Sequence, residues 1–214
     1  MVFNLSENNT IANQFITELR DRSVQKDRMK FRKNLERLGQ IMAYEVSRRL
    51  SYVPREVETP LGKSSGMLIN EDPVLFTVLR AGLPFFQGFL DYFDRADCGF
   101  VGAYRREGGD QIVIQLDYVA APQVSNKDVI LIDPMLATGK SVVQAVDAIL
   151  KVGSPRHFHI VSLVAVEEGL RHVKQHVAVP HSVYTCAIDQ RLDERFYIVP
   201  GLGDAGDLSF GEKR

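Results

Sequence analysis

The chain has 214 residues, 45% hydrophobic and 25% charged, enough for one domain that buries roughly two-thirds to three-quarters of its unfolded surface. Its 26 basic and 27 acidic residues give a formal net charge of -1, which leaves no overall field to draw in nucleic acid or an anionic membrane. The opening "MVFNLSENNT" has no basic start leading into an apolar run, and no apolar stretch approaches bilayer length, so the expectation is a cytoplasmic protein with no membrane and no nucleic-acid partner.

In chain order, the first fifty or so residues predict helix: Leu35, Leu38, Met42, Val46 and Leu50 recur every three or four positions, with Glu36, Arg37 and Arg48 between them. "VETPLGKSSG" then breaks the pattern with Pro60, Gly62 and Gly66. Short apolar runs follow, alternating with helix-like segments: "VLFTVL" (74 to 79), "GFVGAY" (99 to 104), "VILI" (129 to 132), "IVSLVAV" (160 to 166) and "VYTCAI" (183 to 188). Runs without polar alternation suit strands covered on both faces, hence an α/β fold with a central parallel sheet flanked by helices and a ligand site at the carboxyl ends of its strands. "QIVIQLDYV" (111 to 119) does alternate and predicts a half-exposed hairpin arm. Cys98 and Cys186 lie far apart without CxxC spacing and are expected as reduced, buried thiols.

"DPMLATGKS" ends in letters shared with the Walker phosphate loop. That loop requires glycine where this chain has Pro134, which lacks an amide hydrogen and has a fixed torsion, so the nucleotide-hydrolase reading fails. What remains is Asp133 directly after a buried strand, then Thr138, Gly139 and Ser141 at a helix start. Amides and hydroxyls there suit a monoester phosphate, and Asp133 suits vicinal hydroxyls, the two features of a ribose 5-phosphate. The competing reading is an ordinary strand-to-helix turn in which Asp133 caps the helix.

"LIDPMLATG" resembles the phosphoribosyl pyrophosphate (PRPP) loop of the uracil phosphoribosyltransferases. "VLRAGLPF" is similar to that family's pyrophosphate loop, "VGAYR" to the strand and arginine after it, and "YIVPGLGDAGDLSFGEK" to its uracil-binding segment; "ETPLG" and "AIDQRLDERFYIVPG" agree in order and spacing. The resemblance implies a type I phosphoribosyltransferase fold: one domain over residues 1–214, a small hood from N-terminal elements and about 189–214, and a β-arm at about 105–125. It implies transfer of the phosphoribosyl group from PRPP to N1 of uracil, giving UMP and pyrophosphate in pyrimidine salvage with Mg²⁺. A homodimer or homotetramer, and in some relatives activation by GTP, come with it.

By the same resemblance, PRPP is held by Arg80, Arg105, Asp133, Pro134, Met135, Leu136, Ala137, Thr138, Gly139, Lys140, Ser141 and Asp204. Arg80, Asp133 and Asp204 act in catalysis, with the amides of Ala81 and Gly82 beside Arg80. Asp204 contacts the magnesium, which PRPP itself mainly carries. Uracil lies against Ile198 and the main chain of Gly203, Asp204 and Ala205. The residue types suit these tasks: planar guanidinium forks match phosphate oxygens, and backbone groups complement uracil but leave pairs unmet with cytosine. "GLGDAG" sets three glycines in six residues, a backbone able to approach a flat base. An Asp between glycines is also a common turn residue.

Two departures stand out. Lys140 occupies a position usually glycine in the family; either the loop requires a positive torsion there, at a cost of ~1 kcal/mol, or the ammonium adds to phosphate binding. The arm after Arg105 lacks the family's "DPET". Elsewhere, His172 and His176 have metal-ligand spacing without a third ligand, His157 and His159 read as loop residues before a strand, and "ELRDRSVQKDRMKFRK" reads as a solvated helical face. The rival functions are a purine transferase, which a changed "PGLGDAGD" would favour, an RNA-binding UMP sensor, which a basic face would favour, and a non-catalytic relative, which Lys140 alone motivates.

Overall fold

The computed structural model describes residues 1–108 and 111–212, with the side chains of 103–117 outside the described part. After a short strand β1 (Val2–Asn4), Thr10 opens helix α1 (Ile11–Arg20) with a capping box, its hydroxyl accepting from the Ala12 amide while Asn13 accepts from the Thr10 amide. Asp27 caps α2 (Arg28–Ser47) by accepting from the Lys30 amide at 3.0 Å. The expected stripe is the buried one: Leu35, Leu38, Met42 and Val46 are wholly covered.

"VETPLGKSSG" is more than a break: it holds the end of one strand, the turn at Pro60 and Leu61, and the start of the next strand. β2 (Tyr52–Thr59) and β3 (Gly62–Ile69) pair as an antiparallel hairpin, exposed along almost all of its length. The main sheet follows, from β4 (Val74–Leu79), α3 (Leu83–Leu90), β5 (Cys98–Gly108), β6 (Gln111–Ala120), β7 (Asp128–Ile132), β8 (Met135–Leu136), α4 (Lys140–Leu150), β9 (His157–Val166), α5 (Glu167–His176) and β10 (His181–Asp189). Its order is β1-β10-β9-β7-β4-β5-β6, with β8 also beside β9; every pairing is parallel except that of β5 with β6. The chain closes with β11 (Arg191–Leu192), β12 (Ile198–Val199) and α6 (Ala205–Phe210).

Both faces of the sheet are covered, which explains why its strands do not alternate with polar residues. Leu75, Ile130 and Ile132 join the core under α1, α2 and α3. Val74, Phe76, Val129 and Leu131 join the opposite core, under α4 and α5. The hairpin arm is present as β5 with β6; the alternation expected within it falls on side chains outside the described part, apart from Tyr118 and Val119, both exposed. Cys186 is buried and Cys98 half-buried, both free thiols. Among the described residues no helix is long and apolar enough to cross a membrane.

His157 and His159 correct the sequence reading, for both lie inside β9. His159 is 2% exposed, its Nδ1 3.3 Å from the Tyr184 hydroxyl, its Nε2 4.0 Å from Asp128 and its ring 4.7 Å from that of His157. Burial, then the neighbouring His157, pushes its pKa down to about 3. Between the ordinary 6.5 and about 3 the unfolded chain takes up a proton that the folded chain refuses, so stability falls as pH drops through that window, by about 2 kcal/mol at pH 5 from this group. Urea denaturation at pH 7.5 and pH 5 should show that loss in the wild type and a shallower one in His159→Gln.

Candidate active site

Because β4, β7 and β9 run parallel, the turns at their carboxyl ends gather along one edge. Asp133 leaves β7 there, 8% exposed, its amide donating to the Val161 carbonyl at 3.0 Å. Its carboxylate accepts from the Met135 amide at 3.3 Å and the Ser141 hydroxyl at 3.2 Å. Pro134 offers no amide, but its carbonyl accepts from both Leu163 and Val164 at 3.0 Å, and Met135–Leu136 then pair with β9. The stretch expected as one phosphate loop is thus divided. Its first part extends the sheet, with Leu136 wholly buried in the core, and only Thr138 to Ser141 form the mouth of α4.

Gly139 carries the left-handed torsion of that mouth, at φ 77°, and α4 begins with Lys140 in helical conformation. The positive torsion therefore falls on glycine, and Lys140 pays no such strain. Thr138 accepts from the Lys140 amide at 3.4 Å. The loop lies directly on the first turn of α5: a Cβ on Gly139 would stand 2.8 Å from the Gly169 carbonyl, and one on Gly169 would run into the Ala137 carbonyl and stand 2.9 Å from that of Leu136. The exposed Lys140 side chain lines an open cavity of about 280 Å³ with Thr138, Glu168, Arg171, His172 and Gln175. His172, stacked on His176 at 4.0 Å, has a lowered pKa from burial, then from His176 and Lys140.

Arg80 follows β4, and the Gly82 amide donates back to the Val78 carbonyl at 3.1 Å, so that amide, expected on pyrophosphate, is engaged within the turn. Arg80 donates to Asp207 at 3.3 Å and to the Gly211 carbonyl at 3.1 Å, while its Nε is buried without a partner among the described residues. An unmet buried donor at a guanidinium is what a missing anion would leave. Thr77, wholly buried, donates to the Ile132 carbonyl at 3.3 Å and fills the space a side chain on Gly82 would need, so it ties the Arg80 turn to the Asp133 loop.

The C-terminal segment closes over this edge. Asp204 is exposed and caps α6, accepting from the Gly206 and Asp207 amides at 2.8 and 2.9 Å through one oxygen, so the turn-residue role is real. Its second oxygen makes no hydrogen bond among the described residues and fits a hard cation. Among the described residues no group of three or more His, Cys, Asp or Glu is placed to hold a metal ion. Ile198 and Ala205 are buried, while Gly203 is exposed. A Cβ on Gly206 would lie 3.8 Å from that of Ala81, which brings this segment beside the Arg80 turn. The Arg105 side chain lies outside the described residues.

Sequence reasoning did not single out Thr77, Gly169, Asp207, or the pair Arg20 and Asp189. Thr77 had a legible signal, a hydroxyl inside the apolar run "VLFTVL"; the others sit among many similar residues. From the Gly169 contact, Gly169→Ala should displace the Ala137 carbonyl and weaken ribose 5-phosphate binding about tenfold. Calorimetric titration checks this, with pyrophosphate affinity changing little.

A family model described as uracil phosphoribosyltransferase matches residues 6–212. The chain is 43% identical over 213 residues to a uracil phosphoribosyltransferase of Porphyromonas gingivalis, covering 99% of both. It is 36% identical over 202 residues to one of Pyrococcus furiosus, covering 93% of this chain and 85% of that relative. In structure it is similar to a solved protein from Aquifex aeolicus, with TM-score 0.87 at 31% identity over 99% and 98% of the two chains. A hypoxanthine phosphoribosyltransferase of Staphylococcus aureus shares the fold at TM-score 0.51 and 13% identity, over 75% of this chain and 76% of that one. By sequence along nearly its whole length, the chain belongs to the uracil phosphoribosyltransferase family.

Proposed function

We propose that this site transfers the phosphoribosyl group of PRPP to N1 of uracil, releasing pyrophosphate and UMP. The observation that carries the reading is a carboxylate and a helix mouth on one short connection: Asp133, Ser141 and the amides of Thr138 to Ser141, set at the carboxyl edge of the sheet. Such a connection offers an acceptor for a diol and donors for a 5-phosphate of one sugar. Family membership supplies the base.

In this reading the α4 mouth holds the 5-phosphate and Asp133 accepts from the ribose hydroxyls. Arg80 turns its unmet Nε toward the leaving pyrophosphate, where a fixed charge stabilises the developing anion. Pro134, Met135 and Leu136 shape the loop from within the sheet, and Arg105 adds a second guanidinium. Uracil rests against Ile198 and the main chain of Gly203, Asp204 and Ala205. N1 gives up its proton to solvent or to the departing pyrophosphate and bonds to C1 of the ribose as the bond to pyrophosphate breaks, so placement in line contributes much of the rate. Magnesium, when bound with PRPP, neutralises pyrophosphate charge, and Asp204 would contact it.

The N-terminal helices and residues 189–214 act as a hood over the base, supported by Arg32 donating to the Ser209 carbonyl at 2.7 Å and by contacts of Arg20 and Gln25 described below. The β-arm of about 105–125 belongs to the same domain. The free thiols and the metabolite substrates favour the cytoplasm.

The assembly is a homodimer or a homotetramer. A two-stranded hairpin is marginal alone in water, yet this one exposes Val57 of β2 at 46%, Met67 of β3 at 59% and Leu61 of its turn fully. Analytical ultracentrifugation should show a dimer or larger species, and Val57→Glu with Met67→Lys should shift it toward monomer.

Pyrophosphate release with PRPP and Mg²⁺ tests the reaction. Turnover is expected with uracil and not with cytosine, adenine, guanine or hypoxanthine, and Asp204→Asn should lose about a hundredfold. Silence with every base would refute the reading, and full activity in Asp204→Asn would remove that residue's role. GTP added to the same assay shows whether the activation known in some relatives applies.

A further inference from the structure

The backbone immediately before Gly203 is held from behind by polar side chains that have no place in the transfer chemistry. Asp189 ends β10 at 8% exposure and accepts three hydrogen bonds. Two come from the Arg20 guanidinium at 2.9 and 2.7 Å, and the third comes from the Gly201 amide at 2.9 Å. Arg20 also donates to the Gly201 carbonyl at 3.3 Å. One residue on, Gln25 donates to the Leu202 carbonyl at 3.1 Å, while the same amide group holds the Leu19 carbonyl at 2.9 Å. Consecutive peptide groups of one loop are therefore fixed to the end of α1 and the segment after it.

Helix α1 does not need this clamp to stay in place, because Ala12, Ile16 and Leu19 already anchor it in the core. A partly buried ion pair is also weak evidence for stability, since desolvation offsets much of its attraction. What a two-pronged guanidinium adds is orientation. The object it orients is the loop whose next residues, Gly203 to Ala205, present main-chain groups to the base. Hydrogen-bond readout by backbone tolerates errors of only a few tenths of an ångström, so the loop has to be held by something other than the base.

We propose that Arg20, with Asp189 and Gln25, positions the base-reading loop and so sets the preference for uracil; this rests on the transfer reading above. None of the three touches the base. Their removal should therefore be felt in base recognition and not in PRPP binding, which depends on the Arg80 turn and the α4 mouth.

Steady-state kinetics on the full chain separate this from a general structural role. In Arg20→Ala the KM for uracil should rise about tenfold or more, since misplacement by about 1 Å can cost about a hundredfold, while kcat and the KM for PRPP stay within about twofold. Arg20→Lys keeps the charge but cannot hold Asp189 and the Gly201 carbonyl in the same fork, so a smaller rise is expected, and Gln25→Ala should shift the KM for uracil the same way. Release of pyrophosphate with cytosine, relative to uracil, should increase in all three. If Arg20→Ala does not fold, Arg20→Lys and Gln25→Ala carry the same test. Parallel rises in both KM values, or an unchanged KM for uracil in folded variants, would overturn the clamp alone. Failure of the wild type to use uracil would overturn the transfer reading and the clamp with it.

Discussion

The site depends on one contact of backbone with backbone. The Gly169 carbonyl in the first turn of α5 stands close to where a side chain on Gly139 would be, and the Ala137 carbonyl occupies the place of one on Gly169. Neither side can carry a Cβ, so the α4 mouth is pressed against a helix that grows from the neighbouring strand. Parallel pairing of β7 with β9 makes this possible, since it sends both connections to the same edge. Asp133 and Ser141 then bond across the turn, and Thr77 extends the same rigidity to the Arg80 turn.

Around that fixed half, the second half is built from the chain's ends. Residues near 20 and 25, the end of β10, and the segment from Ile198 to Gly211 meet through charged and amide groups and the short β11–β12 pair, apart from the main sheet. The division suits the chemistry. A phosphate needs a rigid cradle whose charge does not have to reorganise, whereas a flat base enters and leaves and is read by a loop. Arg80 joins the halves, sitting on the sheet edge while bonding Asp207 and Gly211 in the closing segment.

How much of this was legible follows from what each residue must satisfy. The buried strands could be read because covering on both faces forces uninterrupted apolar runs. The hairpin β2–β3 could not, because it is exposed on both faces and imposes no such pattern. His157 and His159 look like loop residues until the Tyr184 and Ser182 hydroxyls beside them are seen. The phosphate loop was legible as chemistry but not as architecture: nothing in "DPMLATGKS" says that Leu136 belongs to the core while Thr138 opens the helix. Lys140 was undecidable from letters alone, since a torsion is a property of the backbone, and Gly139 bears it. Long-range pairs such as Arg20 with Asp189, 169 positions apart, leave no local trace.

The central claim is that one chain edge holds sugar phosphate and base in fixed register. A crystal structure of the protein with UMP tests it most directly. The account predicts the phosphate on the amides of Thr138 to Ser141, the ribose hydroxyls on Asp133, and the base against the main chain of Gly203 to Ala205, with Arg20 still bonded to Asp189. A phosphate seated elsewhere, or a base that makes no contact with that loop, would contradict it.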